Sequence, residues 1–284
     1  MIPETYLGVH LIFVLPPLLL FAALAYARSS ATWGRTPFVG IFVIVGLAVV
    51  YTTPWDTLLI ERGVWWYGEG VVAATFGVVP LGELLFFVLQ PALVALWLYN
   101  LDIPLEGSLR LSRRQRLGGL AAGLAVGAVG VGLLVAGPST LYLGAILAWG
   151  GPILAIQWAF GWPHLVRARN AVALGIGVPT AYLWFVDWYA ITNGLWTIST
   201  TYTVGIAPFG LPIEEMLFFS MTNVFIVQGL VLYLWLVEQW ATVATDVRAA
   251  VPSAVAASLP DRTRSVTPDG ELDEQGDDCD RTAT

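Results

Sequence analysis

Seven apolar stretches, each near the roughly 20 residues needed to cross a bilayer as a helix, constrain this chain more than anything else in it. They fall at about 6–26, 38–59, 78–99, 117–135, 141–160, 171–191 and 206–240. The last is long enough to begin with a tilted or entering segment. Charge is sparse to match: 12% of the 284 residues, about half of what a soluble domain carries. The reading is an all-α integral membrane protein, with residues 1–240 as its membrane domain and 241–284 as a polar tail.

The 13 basic residues are all Arg, and they orient the spans. Arg28 and Arg35 follow the first span, and Arg110, Arg113, Arg114 and Arg116 the third. Arg167 and Arg169 follow the fifth, and Arg248, Arg262, Arg264 and Arg281 the seventh; Arg62 alone falls on the other side. By the positive-inside rule the N-terminus lies outside and the C-terminus in the cytoplasm. Eight of the 20 acids crowd into residues 261–284, and that segment reads as a disordered acidic tail. Arg without Lys beside an acidic surface fits a high-salt cytoplasm. The N-terminus lacks a basic region, so the first apolar run is not a signal peptide. Cys279 is the one cysteine, which excludes a disulfide or thiolate metal site within one chain. The absence of Lys excludes a retinal Schiff base, and no basic domain suggests nucleic acid as a partner.

The chain repeats itself. Tyr6-Leu7-Gly8 recurs as Tyr142-Leu143-Gly144, and Pro16 then matches Pro152. Asp56, with Trp65 nine residues on, recurs as Asp187 and Trp196. PLGELLFF from Pro80 recurs as PIEEMLFF from Pro212, identical at five of eight positions. The expected architecture is therefore two parallel three-helix repeats, 5–100 and 140–240, joined by a connector helix at 117–136. Repeats related by an axis along the membrane normal commonly hold their site where the halves meet.

An ionisable group at the bilayer centre costs at least about 2.5–3.5 kcal/mol, so those retained are paired or functional. Here they are Glu83, Glu214 and Glu215 within spans, Asp56 and Asp187 at the outer ends of spans two and six, and His10 in span one. On a helix, Glu83, Phe86, Phe87 and Gln90 share a face, as do Glu215, Phe218, Phe219 and Thr222. Burial disfavours the charged form of a carboxyl, so an acid in apolar surroundings can keep its proton for general acid catalysis. Aromatic faces stabilise a carbocation without attacking it. Together these suit a cyclisation started by protonating a polyene. Each residue also has a plainer reading: the Glu residues as interhelical hydrogen-bond partners, the Phe pairs as packing, Asp56 and Asp187 as helix caps near water. His10, which Ile146 replaces in the second copy, either bonds a carbonyl or breaks the symmetry functionally. Trp65, Trp66 and Trp196 fit an interfacial aromatic belt, with Trp65 and Trp196 as substrate contacts the alternative.

The doubled Pro-x-x-Glu motif with its Leu-Phe-Phe, the Asp–Trp spacing before it and the opening Tyr-Leu-Gly-x-His resemble the flavin-independent membrane lycopene β-cyclases. These are found in haloarchaea, as two small subunits in actinobacteria, and fused to phytoene synthase in fungi. The resemblance covers about residues 5–240 and is most specific at Pro212-Ile213-Glu214-Glu215; Gly82 stands where the first copy would have its first Glu. It implies cyclisation of the ends of lycopene, through γ-carotene to β-carotene, without net redox or cofactor. Glu215, Glu214, Glu83, Asp187 and Asp56 are then the candidate catalytic groups. Phe86, Phe87, Phe218, Phe219, His10, Trp65 and Trp196 are the candidate substrate contacts. The implied partners are lycopene and γ-carotene in the bilayer, lipid, and further copies or other carotenoid enzymes. No Gly-rich dinucleotide unit follows a strand and opens a helix, and His10 and His164 lie too far apart to form a metal site. A proton or solute transporter, which also uses repeats and intramembrane carboxyls, and an end-group hydratase are the rival readings.

Overall fold

The computed structural model describes residues 4–28, 36–106 and 111–250. Seven of its helices are long and apolar enough to cross a membrane. They are α1 (Tyr6–Ala27), α2 (Thr36–Glu61), α3 (Leu81–Leu98), α4 (Arg113–Ala136), α5 (Leu141–Arg167), α6 (Arg169–Thr192) and α7 (Ile213–Ala250, apolar through Trp240). They gather in one compact unit, Met1–Ala241. The chain is a multi-pass membrane protein. Residues 251–284, where most of the acidic tail falls, lie outside the described residues.

Local chemistry sets the helix ends. Thr5 caps α1 by accepting from the Gly8 N–H, and Ser112 and Gln115 close a capping box at α4. α2 and α6 stop by one device. Gly63 and Gly194 turn into the left-handed region at φ 73° and 70°. The N–H groups of Val64 and Leu195 then reach back to the carbonyls of Leu59 and Ala190. Inside the helices, His10–Val14 is a π-helical turn of α1, and α5 bends at Gly161, two residues before Pro163.

Two expected spans begin later than their hydropathy suggests. The third starts at Leu81, because Val79–Pro80 (β3) pairs with Thr75–Phe76 (β2) in a small hairpin. The seventh starts at Ile213. Residues 206–212, expected as an entering segment, form a loop around a turn at Pro208–Gly210. Hydropathy cannot separate an apolar loop from an apolar helix, and the prolines at 80, 208 and 212 break the helical ladder here.

Helix α4 lies along α5 on glycines. Gly119, Gly123 and Gly130 face the α5 backbone so closely that a Cβ on Gly123 would come within 2.1 Å of the Ala155 nitrogen. Small residues let membrane helices approach where no hydrophobic effect drives them together. Deeper in the bundle, Gln90 donates to Asn223 at 2.7 Å, and Asn223 donates to Thr180 at 2.9 Å, tying α3, α7 and α6 with satisfied polar groups.

Two loops meet at one end of the bundle. Trp65–Tyr67 (β1) pairs antiparallel with Trp196–Ile198 (β4) in the register Trp65↔Ile198, Trp66↔Thr197, Tyr67↔Trp196. The Gly68 N–H bonds the Leu195 carbonyl, and the Ser199 N–H bonds the Val64 carbonyl. Exchanging the two Asp–Trp motifs maps Trp66↔Thr197 onto itself and swaps the others pairwise, Trp65↔Ile198 with Tyr67↔Trp196 and the Gly68 bond with the Ser199 bond. The ribbon lies over the ends of α2 and α6 and the starts of α3 and α7, where all the buried carboxyls are.

Candidate active site

Four carboxyls converge under the β1–β4 ribbon. Asp56 and Asp187 come from the last turns of α2 and α6, Glu83 and Glu215 from the first turns of α3 and α7. A helix N-terminus favours a negative group, which helps hold both Glu residues there. All four are buried, from 2% exposed for Asp187 to 7% for Glu83, and all line one cavity of about 70 Å³. Each keeps one oxygen that accepts no N–H or O–H from the protein: Asp56 Oδ2, Glu83 Oε2, Asp187 Oδ2 and Glu215 Oε1. Four such oxygens in one enclosed space are costly to maintain, which marks a site rather than packing.

Their other contacts differ. Glu83 Oε1 accepts from the Trp65 indole at 3.1 Å and from the Tyr67 hydroxyl, and its carboxyl touches that of Asp56. Tyr142 stands beside Glu215 in the lining. Asp187 Oδ1 accepts from the Trp196 indole at 2.8 Å.

Aromatic rings make up most of the remaining lining, with Val9, Val14, Leu183, Val186 and Ile198 between them. Tyr6 packs on Trp196 with centroids 5.0 Å apart, and Tyr142 on Trp65 at 5.7 Å, each crossing to the other motif copy. Phe86 meets Phe219 edge to face, and Phe218 stacks on Trp55 with planes 4° apart. The shared helix faces read from the sequence hold: Glu83, Phe86 and Phe87 line the cavity together, and so do Glu215, Phe218 and Phe219.

Trp65 and Trp196 are cavity walls that donate to carboxyls, which corrects their reading as an interfacial belt; Trp66, half exposed on the ribbon's other face, fits the belt. Alternation along the short strand separates Trp65 from Trp66. His10 lines the cavity and donates from Nε2 to the Gly82 carbonyl at 2.7 Å, leaving Nδ1 as an acceptor. Glu214 is the candidate not brought to the cavity. It is fully buried, and its Oε1 accepts from the Val204 N–H at 2.7 Å, bracing the loop before α7. One step along a helix turns a side chain by about 100°, so adjacent acids face different ways. Gly82 holds the matching position in α3, where a Cβ would stand 2.4 Å from the Tyr6 ring. The first copy lacks that Glu because Tyr6 occupies the space.

Tyr6, Trp55, Tyr67 and Tyr142 also line the cavity and were not picked out from the sequence. The recurrence of Tyr-Leu-Gly was the available signal for Tyr6 and Tyr142. Tyr67 and Trp55 have no counterpart in the other copy, where Ile198 and Val186 stand, so no repeat could flag them. Among the described residues no group of three or more His, Cys, Asp or Glu has metal-binding geometry.

Fold and site together define a multi-pass membrane protein with a buried acid cluster walled by aromatic rings. The relatives narrow this. The chain is 43% identical over 236 residues to the lycopene beta-cyclase of Halobacterium salinarum, covering 83% of this chain and 98% of that one. It is 34% identical over 232 residues to the bifunctional lycopene cyclase/phytoene synthase of Gibberella fujikuroi, covering 80% of this chain and 39% of that one. The corresponding figure for Aspergillus oryzae is 33% over 236 residues, again 39% of that protein. No family model and no solved structure matches. The chain belongs to the lycopene β-cyclase family.

Proposed function

We propose that this protein is a lycopene β-cyclase, an isomerase that closes the acyclic ends of lycopene into β-rings by acid–base chemistry. The observation that carries this is the convergence of four buried carboxyls with unpartnered oxygens inside an aromatic-lined cavity. Protonation of a polyene needs a strong acid shielded from water. The cation it leaves must then meet π-faces rather than nucleophiles.

Glu215 is the proposed donor. Tyr142 stands beside it in the lining, and its Oε1 is free to present a proton to C2 of the end group. The positive charge then appears at C1, and the C5=C6 bond attacks it to close the ring. Loss of the C6 proton restores neutrality and leaves the β-ring, with every atom conserved. The Glu83–Asp56 pair is the proposed acceptor, because Trp65 and Tyr67 already stabilise negative charge on Glu83. Phe86, Phe218, Phe219 and Trp55 surround the developing cation with ring faces and edges. His10 positions the start of α3 through the Gly82 carbonyl. The N-terminus is outside and the C-terminus cytoplasmic, which puts the cavity in the outer half of the bilayer.

The test is expression in a lycopene-accumulating bacterium followed by pigment analysis. Conversion to γ-carotene and β-carotene is expected. Unchanged lycopene alongside a correctly inserted protein would refute the proposal, and hydroxylated acyclic ends would assign the cation to capture by water instead.

A further inference from the structure

A second space, apolar and about 380 Å³ in volume, adjoins the acid cavity and shares Phe86, Phe87 and Phe218 with it. It is a groove between α2 and α5 with α7 as its floor. Along α7 it runs from Phe218 to Tyr233, about 22 Å at 1.5 Å per helical residue. Val43, Leu47 and Ile156 on its rims are 48%, 58% and 65% exposed, so the groove is open sideways toward lipid. At its far end the Tyr233 ring closes it, held by a hydroxyl bond to the Thr36 carbonyl at 3.2 Å.

The other half of the bundle has the matching position, between α6 and α1 over α3, and there it is filled. The walls correspond. Tyr51 donates to the Trp149 carbonyl at 2.8 Å, and Tyr182, equally placed before its Asp, donates to the Phe13 carbonyl at 2.7 Å. The floors differ. Fourteen residues beyond Glu215 stands Gly229, whose missing side chain would meet Ile44 of α2 and Gln157 of α5. Fourteen residues beyond Glu83 stands Trp97. Its indole packs on Phe21 of α1 with centroids 5.2 Å apart and donates to the Leu174 carbonyl of α6 at 3.0 Å. One exchange, Gly for Trp, leaves one groove open and plugs its counterpart.

Resting on the cyclase reading, we propose that the α2–α5 groove binds the linear polyene chain of the substrate, that among the described residues it is the single such groove leading to the acid cavity, and that both substrate ends reach that cavity through it in separate binding events. The occupant is a rod-like hydrocarbon because the groove is long, narrow, almost wholly apolar and reached from lipid. It leads at one end to a site that handles protons. A substrate cyclised at both ends must therefore leave after the first ring forms and rebind reversed.

The experiment uses the full chain in lipid nanodiscs. Quenching of tryptophan fluorescence by lycopene reports binding, and pigment analysis reports turnover. Gly229→Trp should weaken binding at least tenfold and abolish turnover. Leu47→Trp, which narrows the groove from its lipid rim without entering the core, should do the same to a lesser degree. Gly132→Trp, on α4 where the glycine faces open space, should leave both unchanged. In a chase, labelled lycopene followed by excess unlabelled lycopene should release labelled γ-carotene before β-carotene appears. Unaltered binding in both Gly229→Trp and Leu47→Trp overturns the groove. Labelled β-carotene formed without released γ-carotene overturns the two-event order. Wild-type protein that binds lycopene but never cyclises it would sink the cyclase reading, and the binding comparison would still decide the groove.

Discussion

Replacing Glu215 with Gln removes a proton and little else. Its carboxyl is buried, with Tyr142 beside it in the lining and Oε1 unpartnered. A Gln amide keeps the shape of the carboxyl, so the change places at most an NH2 where an unpartnered oxygen stood. A buried donor left unsatisfied costs about 1–3 kcal/mol, a fraction of what holds a helical bundle together, so the protein should insert and fold. A general acid contributes about 100- to 10,000-fold, equivalent to about 2.7–5.4 kcal/mol of barrier at 1.36 kcal/mol per decade. Turnover should therefore fall by at least two orders of magnitude while lycopene binding in nanodiscs changes little. The assay pairs pigment analysis of purified protein with the fluorescence binding measurement. Near-normal β-carotene formation by Glu215→Gln would refute the assignment and move the donor role to Asp187, which lines the same cavity with Oδ2 unpartnered.

Glu83→Gln should be milder, since Asp56, its partner in the proposed acceptor pair, keeps a carboxylate that can take the proton, while the amide oxygen still accepts from Trp65 and Tyr67. Product ratios check this, and a build-up of the single-ring product would mean instead that each half serves one end of the substrate. Gly82→Ala drives a methyl to 2.4 Å from the Tyr6 ring, an overpacking that should cost about 1–3 kcal/mol; an unchanged thermal midpoint in detergent would contradict it. For topology, a reporter that is active only outside the cytoplasm should stay silent when fused after Trp240, and activity there would reverse the orientation.

Much of this protein follows from local rules. A run of apolar residues near 20 long with few charges can hardly do anything but cross a bilayer, because an unpaired backbone in lipid is too costly. That identified all seven spans. Helical periodicity likewise put Glu83 beside Phe86 and Phe87, and Glu215 beside Phe218 and Phe219, before any tertiary contact was known. The two copies of the Asp–Trp and Glu–Phe-Phe motifs pointed to the carboxyls that line the cavity.

What local rules could not reach was which of these residues meet, and which way they face. Hydropathy assigns Trp65 and Trp66 the same value; only the β1–β4 pairing turns one into the cavity and the other outward. Adjacent Glu214 and Glu215 look alike in sequence, yet one braces the Val204 loop and the other faces the cavity with Tyr142. Gly82 reads as a lost acid until the Tyr6 ring is found in its place. Trp97 and Gly229 are two unremarkable residues in apolar helices until their neighbours show one plugging a groove and the other leaving its counterpart open. The sequence by itself determined that the chain spans the membrane seven times and which carboxyls the bilayer would make conspicuous, because solvent and helix periodicity act on each segment alone. The tertiary structure decided the partners of those carboxyls and the asymmetry of the two grooves, because both depend on side chains from distant segments competing for the same space.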